Sequence, residues 1–148
     1  MVKFEIPGEP VPKARPRLSR YGVYTPKRTS DYEYLVKQSF LSSTNMGPLT
    51  GPLFVYMELY YKIPKSAKKA DRIAMEQRII RPTKRPDVDN CVKSILDALN
   101  EVAYKDDSQV VDVFCRKFYA NEPKSVITLM QIDELTSDKI SCTIISED

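Results

Sequence analysis

Histidine occurs nowhere in the 148 residues. Its absence removes Ser-His-Asp and Cys-His catalysis, histidine-ligated zinc or iron, and every nuclease chemistry that uses an imidazole. Cysteine is scarce: Cys91, Cys115 and Cys142 are an odd, scattered set with no C-x-x-C pair, which argues against a disulfide framework or a zinc site and for reduced thiols packed as small apolar residues. No run approaches the roughly 20 apolar residues of a membrane helix, and the opening Met-Val-Lys-Phe-Glu-Ile-Pro lacks the apolar core of a secretory signal. A cytoplasmic protein with no membrane partner is expected. Internal repeats, low-complexity tracts and long linkers are also lacking, so residues 1–148 are expected to form one domain, for which an apolar content of 42% suffices.

Chemistry here must therefore rest on carboxylates, lysine, tyrosine, cysteine or a metal ion. The net charge of +3 conceals an asymmetry, because residues 1–85 hold 17 Lys/Arg against 7 Asp/Glu and residues 86–148 hold 6 against 13. Opposite blocks in one small chain suit a basic surface for a polyanion beside an acidic cluster that holds cations; a solvated surface with local bias is the plainer alternative.

Residues 2–6 alternate as a strand does, and prolines 7, 10, 12 and 16 with Gly8 argue against regular structure until about Tyr21. That segment carries Lys13, Arg15, Arg17 and Arg20, continuing to Lys27 and Arg28, with no acid between Glu9 and Asp31. An amphipathic helix is expected over 30–42, capped by Ser30 and with Tyr34, Leu35, Phe40 and Leu41 as its apolar residues. Residues 53–63 form the clearest strand, rich in tyrosine and aliphatic side chains. Residues 65–79 suggest a basic helix with Lys68, Lys69 and Arg72, followed by an extended stretch with Lys84, Arg85 and Pro86. Asp89 then caps a helix to about Asn100, whose stripe Val92, Ile95, Leu96 and Leu99 makes core or a dimer interface. Strands are expected over 110–119 and 126–132, joined through Asn121-Glu122-Pro123-Lys124, and the acidic tail after Asp133 is expected to fray. The order β, α, β, α, α, β, β defines an α+β domain with a mixed sheet and helices packed on it.

Asp87 and Asp89 stand two apart in what reads as an extended stretch, where side chains at i and i+2 project to one side. Paired carboxylates repel unless a cation lies between them, and magnesium favours oxygen ligands, so two or three aspartates plus a substrate phosphate complete its shell. The third acid would come from Asp106-Asp107 after the helix returns. Lys93, one turn after Asp89, either steadies phosphate charge or pairs with Asp97 or Asp89; Asn90 and Gln109 are orienters or ordinary surface. Asp-x-Asp at a helix start is also common as simple capping.

The segment R-P-D-V-D-N, Lys93, L-D-A-L-N and Y-K-D-D-S-Q-V closely resembles the central motif of the RusA family of Holliday junction resolvases, and G-E-P-V-P-K-A-R-P-R with R-Y-G-V-Y-T-P resembles the N-terminal region of its phage and prophage members. The resemblance implies a magnesium-dependent, homodimeric enzyme, with Mn2+ as a substitute ion, that cuts four-way DNA junctions in recombination and repair by paired symmetric incisions. It implies Asp87, Asp89 and Asp107 as metal-binding catalytic acids, with Asp106 ranked below Asp107, and Lys93 as the catalytic lysine. Lys13, Arg15, Arg17, Arg20, Lys68, Lys69, Arg72, Lys84 and Arg85 are the expected DNA contacts, and no small-molecule cofactor is implied. Two other readings stay open: a less selective metal nuclease for flaps, forks or single strands, and a non-catalytic DNA-binding or packaging module whose acids only cap and pair.

Overall fold

The computed structural model describes residues 1–132. The expectation for the acidic tail, and Cys142, lie outside those residues. Among the described residues the architecture is α+β: a four-stranded mixed sheet with three α-helices in one domain. Strands β1 (Val2–Pro7), β4 (Leu53–Lys62), β5 (Val110–Ala120) and β6 (Lys124–Gln131) order as β1-β6-β4-β5, with β4 and β5 parallel and the other neighbours antiparallel. Although β5 and β6 are joined by a short link, β4 lies between them.

Alternation along β4 defines two faces. Leu53, Val55, Met57 and Leu59 are fully buried on the inner face, where helices α1 (Lys27–Ser43) and α3 (Val88–Leu99) pack. Tyr56, Glu58 and Tyr60 face outward, and Tyr60 stacks on Phe118 of β5. Helix α2 (Lys69–Glu76) belongs to that outer side: just past its end, Arg78 donates to Tyr60 Oη (3.1 Å) and lies over the Phe118 ring. The chain from 77 to 86 then passes around β5 to the inner face, where the Lys117 ammonium donates to the carbonyls of Lys84 (2.7 Å) and Pro86 (2.9 Å).

Several expectations shift. Helix α1 begins at Lys27 behind Pro26, and Ser30 does not cap it, because its hydroxyl bonds back to the Lys27 carbonyl (2.9 Å). Its buried residues are Thr29, Tyr32, Val36 and Phe40, whereas Tyr34 and Leu41 are exposed. Helix α2 is half the expected length and buries no residue; Arg78, at φ 63°, breaks it. Helix α3 is capped by Asp87 in place of Asp89, and its stripe Ile95, Leu96 and Leu99 goes to the core, not to an interface. The proline-rich segment also holds a hairpin, β2 (Arg17–Ser19) and β3 (Gly22–Tyr24), turned at Arg20-Tyr21 with Gly22 at φ 118°. Cys91 and Cys115 are free thiols, and burial pushes both upward in pKa, which suits inert packing.

Candidate active site and nucleic-acid cleft

Helix α3 positions the chemistry. Its inner side is apolar, so its remaining face must meet solvent, and four-residue spacing sets Asp89, Lys93 and Asp97 along that face. Asp87 precedes them with extended backbone (φ −72°, ψ 146°), and Asp89 already lies in the first helical turn. The two acids are therefore not related by strand alternation, as their spacing suggested, but by a helix start. A carboxylate at an N-cap usually accepts from a backbone N–H; that of Asp87 makes no such bond. Asp87, Asp89 and Lys93 are exposed, and among the described residues none has a hydrogen bond or ion pair.

Beside Asp87 lies a cleft of about 650 Å³, lined by Glu9, Lys13, Arg28, Arg85, Asp87 and Asn90, with Tyr61 and three prolines completing the wall. The Lys117 clamp on residues 84 and 86 holds the strip that carries Arg85 to this cleft. Arg28, the second residue of α1, is a cleft residue that charge counting did not single out; its place in an acid-free run was the available signal.

The other end of α3 is wired differently. The Lys13 ammonium bridges Glu33 of α1 and Asp97 of α3, the latter at 3.1 Å, and the Lys13 N–H donates to the Asn90 carbonyl (3.0 Å). Burial works against the charge on Lys13, but the two carboxylates outweigh it and raise its pKa. Lys13, expected as a DNA contact, lines the cleft and also ties three segments together. Asp107 sits at the same end: burial first, then the neighbouring carboxylates of Asp97 and Asp106, raise its pKa. Asp97, eight residues after Asp89, is the member of this face that the motif reading treated only as an ion-pair partner. Eight residues of helix separate the two by about 12 Å along the axis.

Asp106 is occupied. It caps the 3-10 turn Asp107–Gln109, accepting from the Ser108 N–H (2.8 Å), and hydrogen bonding from Ser108, its hydroxyl first and its N–H second, lowers its pKa. Gln109 secures the turn from below, donating to the carbonyls of Leu49 and Gly51 while its oxygen accepts from the N–H groups of Lys105 and Asp106. Gln109 is therefore a structural clasp, and Asp107 lies in the turn it holds, beside the carboxylates of Asp97 and Asp106.

Among the described residues no three acids, cysteines or histidines form a cluster that would hold a metal ion. The structure brings Asp87 and Asp89 to one helix start and Asp107 to the Asp97 end. The exposed, unpartnered Asp87/Asp89 oxygens nonetheless suit a hard divalent cation, which commonly takes one or two carboxylates and fills its shell with water and phosphate. Arg15, Arg17 and Arg20 are exposed on and before the hairpin, and Lys84 and Arg85 are exposed near the cleft. Lys68, Lys69 and Arg72 do not line the cleft; they lie at and before α2, and Arg72 donates to the Pro64 carbonyl (3.3 Å).

Uncommitted carboxylates beside a cationic cleft form the donor set of a phosphodiester-cleaving protein. The chain belongs to the RusA family: the model of that family, endodeoxyribonuclease RusA, matches residues 7–130. It is also similar to the uncharacterized protein YqaN of Bacillus subtilis (strain 168), 38% identical over 137 residues that span 88% of this chain and 96% of that protein. No helix among the described residues is long and apolar enough to cross a membrane.

Proposed function

We propose that the chain, acting as one cytoplasmic domain over residues 1–148, is a magnesium-dependent endodeoxyribonuclease that resolves Holliday junctions and related branched DNA by paired symmetric incisions. The observation that carries this reading is the Asp87/Asp89 pair, unpartnered among the described residues, at the edge of a cleft bearing Arg28 and Arg85, in a chain of the RusA family. Asp87 and Asp89 are the ligands for Mg2+, with Mn2+ as a substitute. When bound, the ion supplies Lewis-acid polarisation of a phosphate oxygen and acidifies the attacking water.

Lys93, one turn along the same exposed face, offsets negative charge on the scissile phosphate. Asp107 is the third catalytic acid, acting from the Asp97 end of the face. Arg28, Arg85 and Lys84 hold the sugar-phosphate backbone, so binding weakens steeply as salt rises. A twofold junction calls for a twofold protein, and we assign a homodimer accordingly. Because the α3 stripe is used in the core, the outer edge of β5, which pairs with no further strand among the described residues and exposes Val111, Val113 and Phe114, is the better-suited contact face.

The test is cleavage of a fixed four-way junction beside linear duplex and flap controls, with Mg2+, Mn2+ or neither, mapping both incisions. Symmetric, metal-dependent cuts confined to the junction are expected. Equal cutting of the controls would instead mark a less selective branch or flap nuclease. Metal-independent DNA binding with no cleavage would mark an accessory module.

A further inference from the structure

Hairpin β2–β3 displays apolar side chains to solvent: Leu18 is 85% exposed, Tyr21 85%, Val23 67% and Tyr24 47%. Leu18 and Val23 are cross-strand partners, so they share one face of the ribbon. Tyr21 stands at the turn with the Arg20 guanidinium 4.8 Å from its ring centre. A two-stranded ribbon with three residues a side gains little stability from such groups, and an exposed apolar tip suits a surface that buries it on binding.

The place of the hairpin says which surface. It leaves the body after Lys13, whose N–H is bonded to Asn90, and returns at Arg28; Lys13, Asn90 and Arg28 all line the cleft at Asp87. The ribbon is therefore rooted at both ends on the cleft that we assign to DNA. Around it stand Arg15, Arg17, Arg20, Lys27 and Arg28, with no acid between Glu9 and Asp31. This charge disfavours a second copy seated hairpin to hairpin, since a twofold axis through the ribbon would set Arg17 and Arg20 against their own kind. An occupant with phosphates and exposed flat apolar faces satisfies both features, and DNA offers these together only where stacking is interrupted.

We propose that the hairpin Arg17–Tyr24 is a branch-reading element: Arg17 and Arg20 contact phosphates, while Tyr21 and the Leu18/Val23 face pack against bases unstacked at the branch point. The proposal rests on the DNA reading above and adds the element by which a branch is told from a duplex. Stacking of a base on an aromatic ring is tolerant of sequence, so the recognition is of unstacked bases and not of a base order.

The test uses the full chain without divalent cation, so that binding is read apart from cleavage. Wild type, Tyr21→Ala and the double variant Leu18→Ser/Val23→Ser are titrated against a fixed four-way junction and a linear duplex of equal length. Each DNA carries 2-aminopurine at the branch point or at the matching duplex position. Wild type should prefer the junction and brighten its 2-aminopurine. Both variants should lose about tenfold in junction affinity, and the brightening with it, while duplex affinity stays within about twofold. Equal losses on both DNAs, or brightening that survives in the variants, overturn the proposal. So does a variant that is monomeric by sedimentation where wild type is a dimer, which would make the hairpin a contact between copies. If wild type itself binds both DNAs alike, the function proposed above falls first.

Discussion

At its N-terminal end helix α3 carries Asp87 and Asp89 exposed and, among the described residues, unpartnered, whereas at its C-terminal end Asp97 is tied to Lys13 and crowded by Asp107. The helix dipole explains part of the contrast. Carboxylates at a helix start are favoured by the unpaired N–H groups, so Asp87 and Asp89 persist without a cationic partner. Toward the helix end the same charge meets unpaired carbonyls, and the Lys13 ammonium offsets that repulsion for Asp97 while also tying α1 to α3. One helix face thus presents free acids for a ligand at one end and acids held by the fold at the other.

The comparison is tested most sharply by neutralising one acid at each end. Asp87→Asn should reduce junction cleavage by at least about 10²–10³-fold, with junction binding kept or tightened because repulsion of phosphate is removed. Its affinity for Mn2+, read by calorimetry on the protein alone, should fall at least about tenfold, since half of the carboxylate pair is gone. Asp107→Asn should also abolish cleavage yet leave that affinity within about threefold of wild type. If both variants lose the ion equally, the two ends act as one site and the contrast drawn here is broken.

The difference between the ends was only partly legible in the amino-acid order. Apolar residues at i, i+3, i+4 and i+7 found α3 to within two residues at its start and one at its end, because its core face is continuous; the same approach misjudged α1, where the chemically apolar Tyr34 and Leu41 stay in water and Tyr32, Val36 and Phe40 make the contact. The Asp87-x-Asp89 pattern marked a helix start. Where the returning chain places Asp107 depends on the helix length and the turn clasped by Gln109, which no local spacing encodes. Asp97 was readable as the third residue of the Asp89, Lys93 series, once that face is followed past one turn. The hairpin was hidden because three-residue strands among arginines and prolines carry no period.

Lys93 stands midway between the two ends, so its loss shows which of them it serves. Lys93→Ala should slow cleavage about 10²-fold in single-turnover assays while sedimentation finds an unchanged oligomer. A dissociated or unfolded variant would assign the lysine to structure. Lys13→Met addresses the committed end alone. Lys13, Glu33 and Asp97 are about three-quarters buried, so removing the ammonium should cost about 2 kcal/mol and lower the melting temperature by about 4–8 °C at neutral pH. An unshifted melting curve would mean that the strut contributes nothing to stability and that Lys13 is free to bind DNA.

The smallest effect is expected from Asp107→Asn on stability. Burial and the adjacent carboxylates of Asp97 and Asp106 raise the folded pKa of Asp107 above its unfolded value. An acid shifted in this direction binds its proton more tightly in the folded state, so stability falls as pH rises through the unfolded pKa and the full penalty stands above the folded one. The asparagine variant lacks that penalty and should melt higher than wild type at neutral pH, by only about 1 °C because the side chain is largely solvent-screened. The gain should vanish once the pH drops below the ordinary carboxylate range, where both states of wild type are protonated. Added Mg2+ should leave the gain in place if the ion sits at Asp87 and Asp89, and erase it if the ion is drawn to Asp107, which makes this melting curve a second reading of which end of α3 holds the metal.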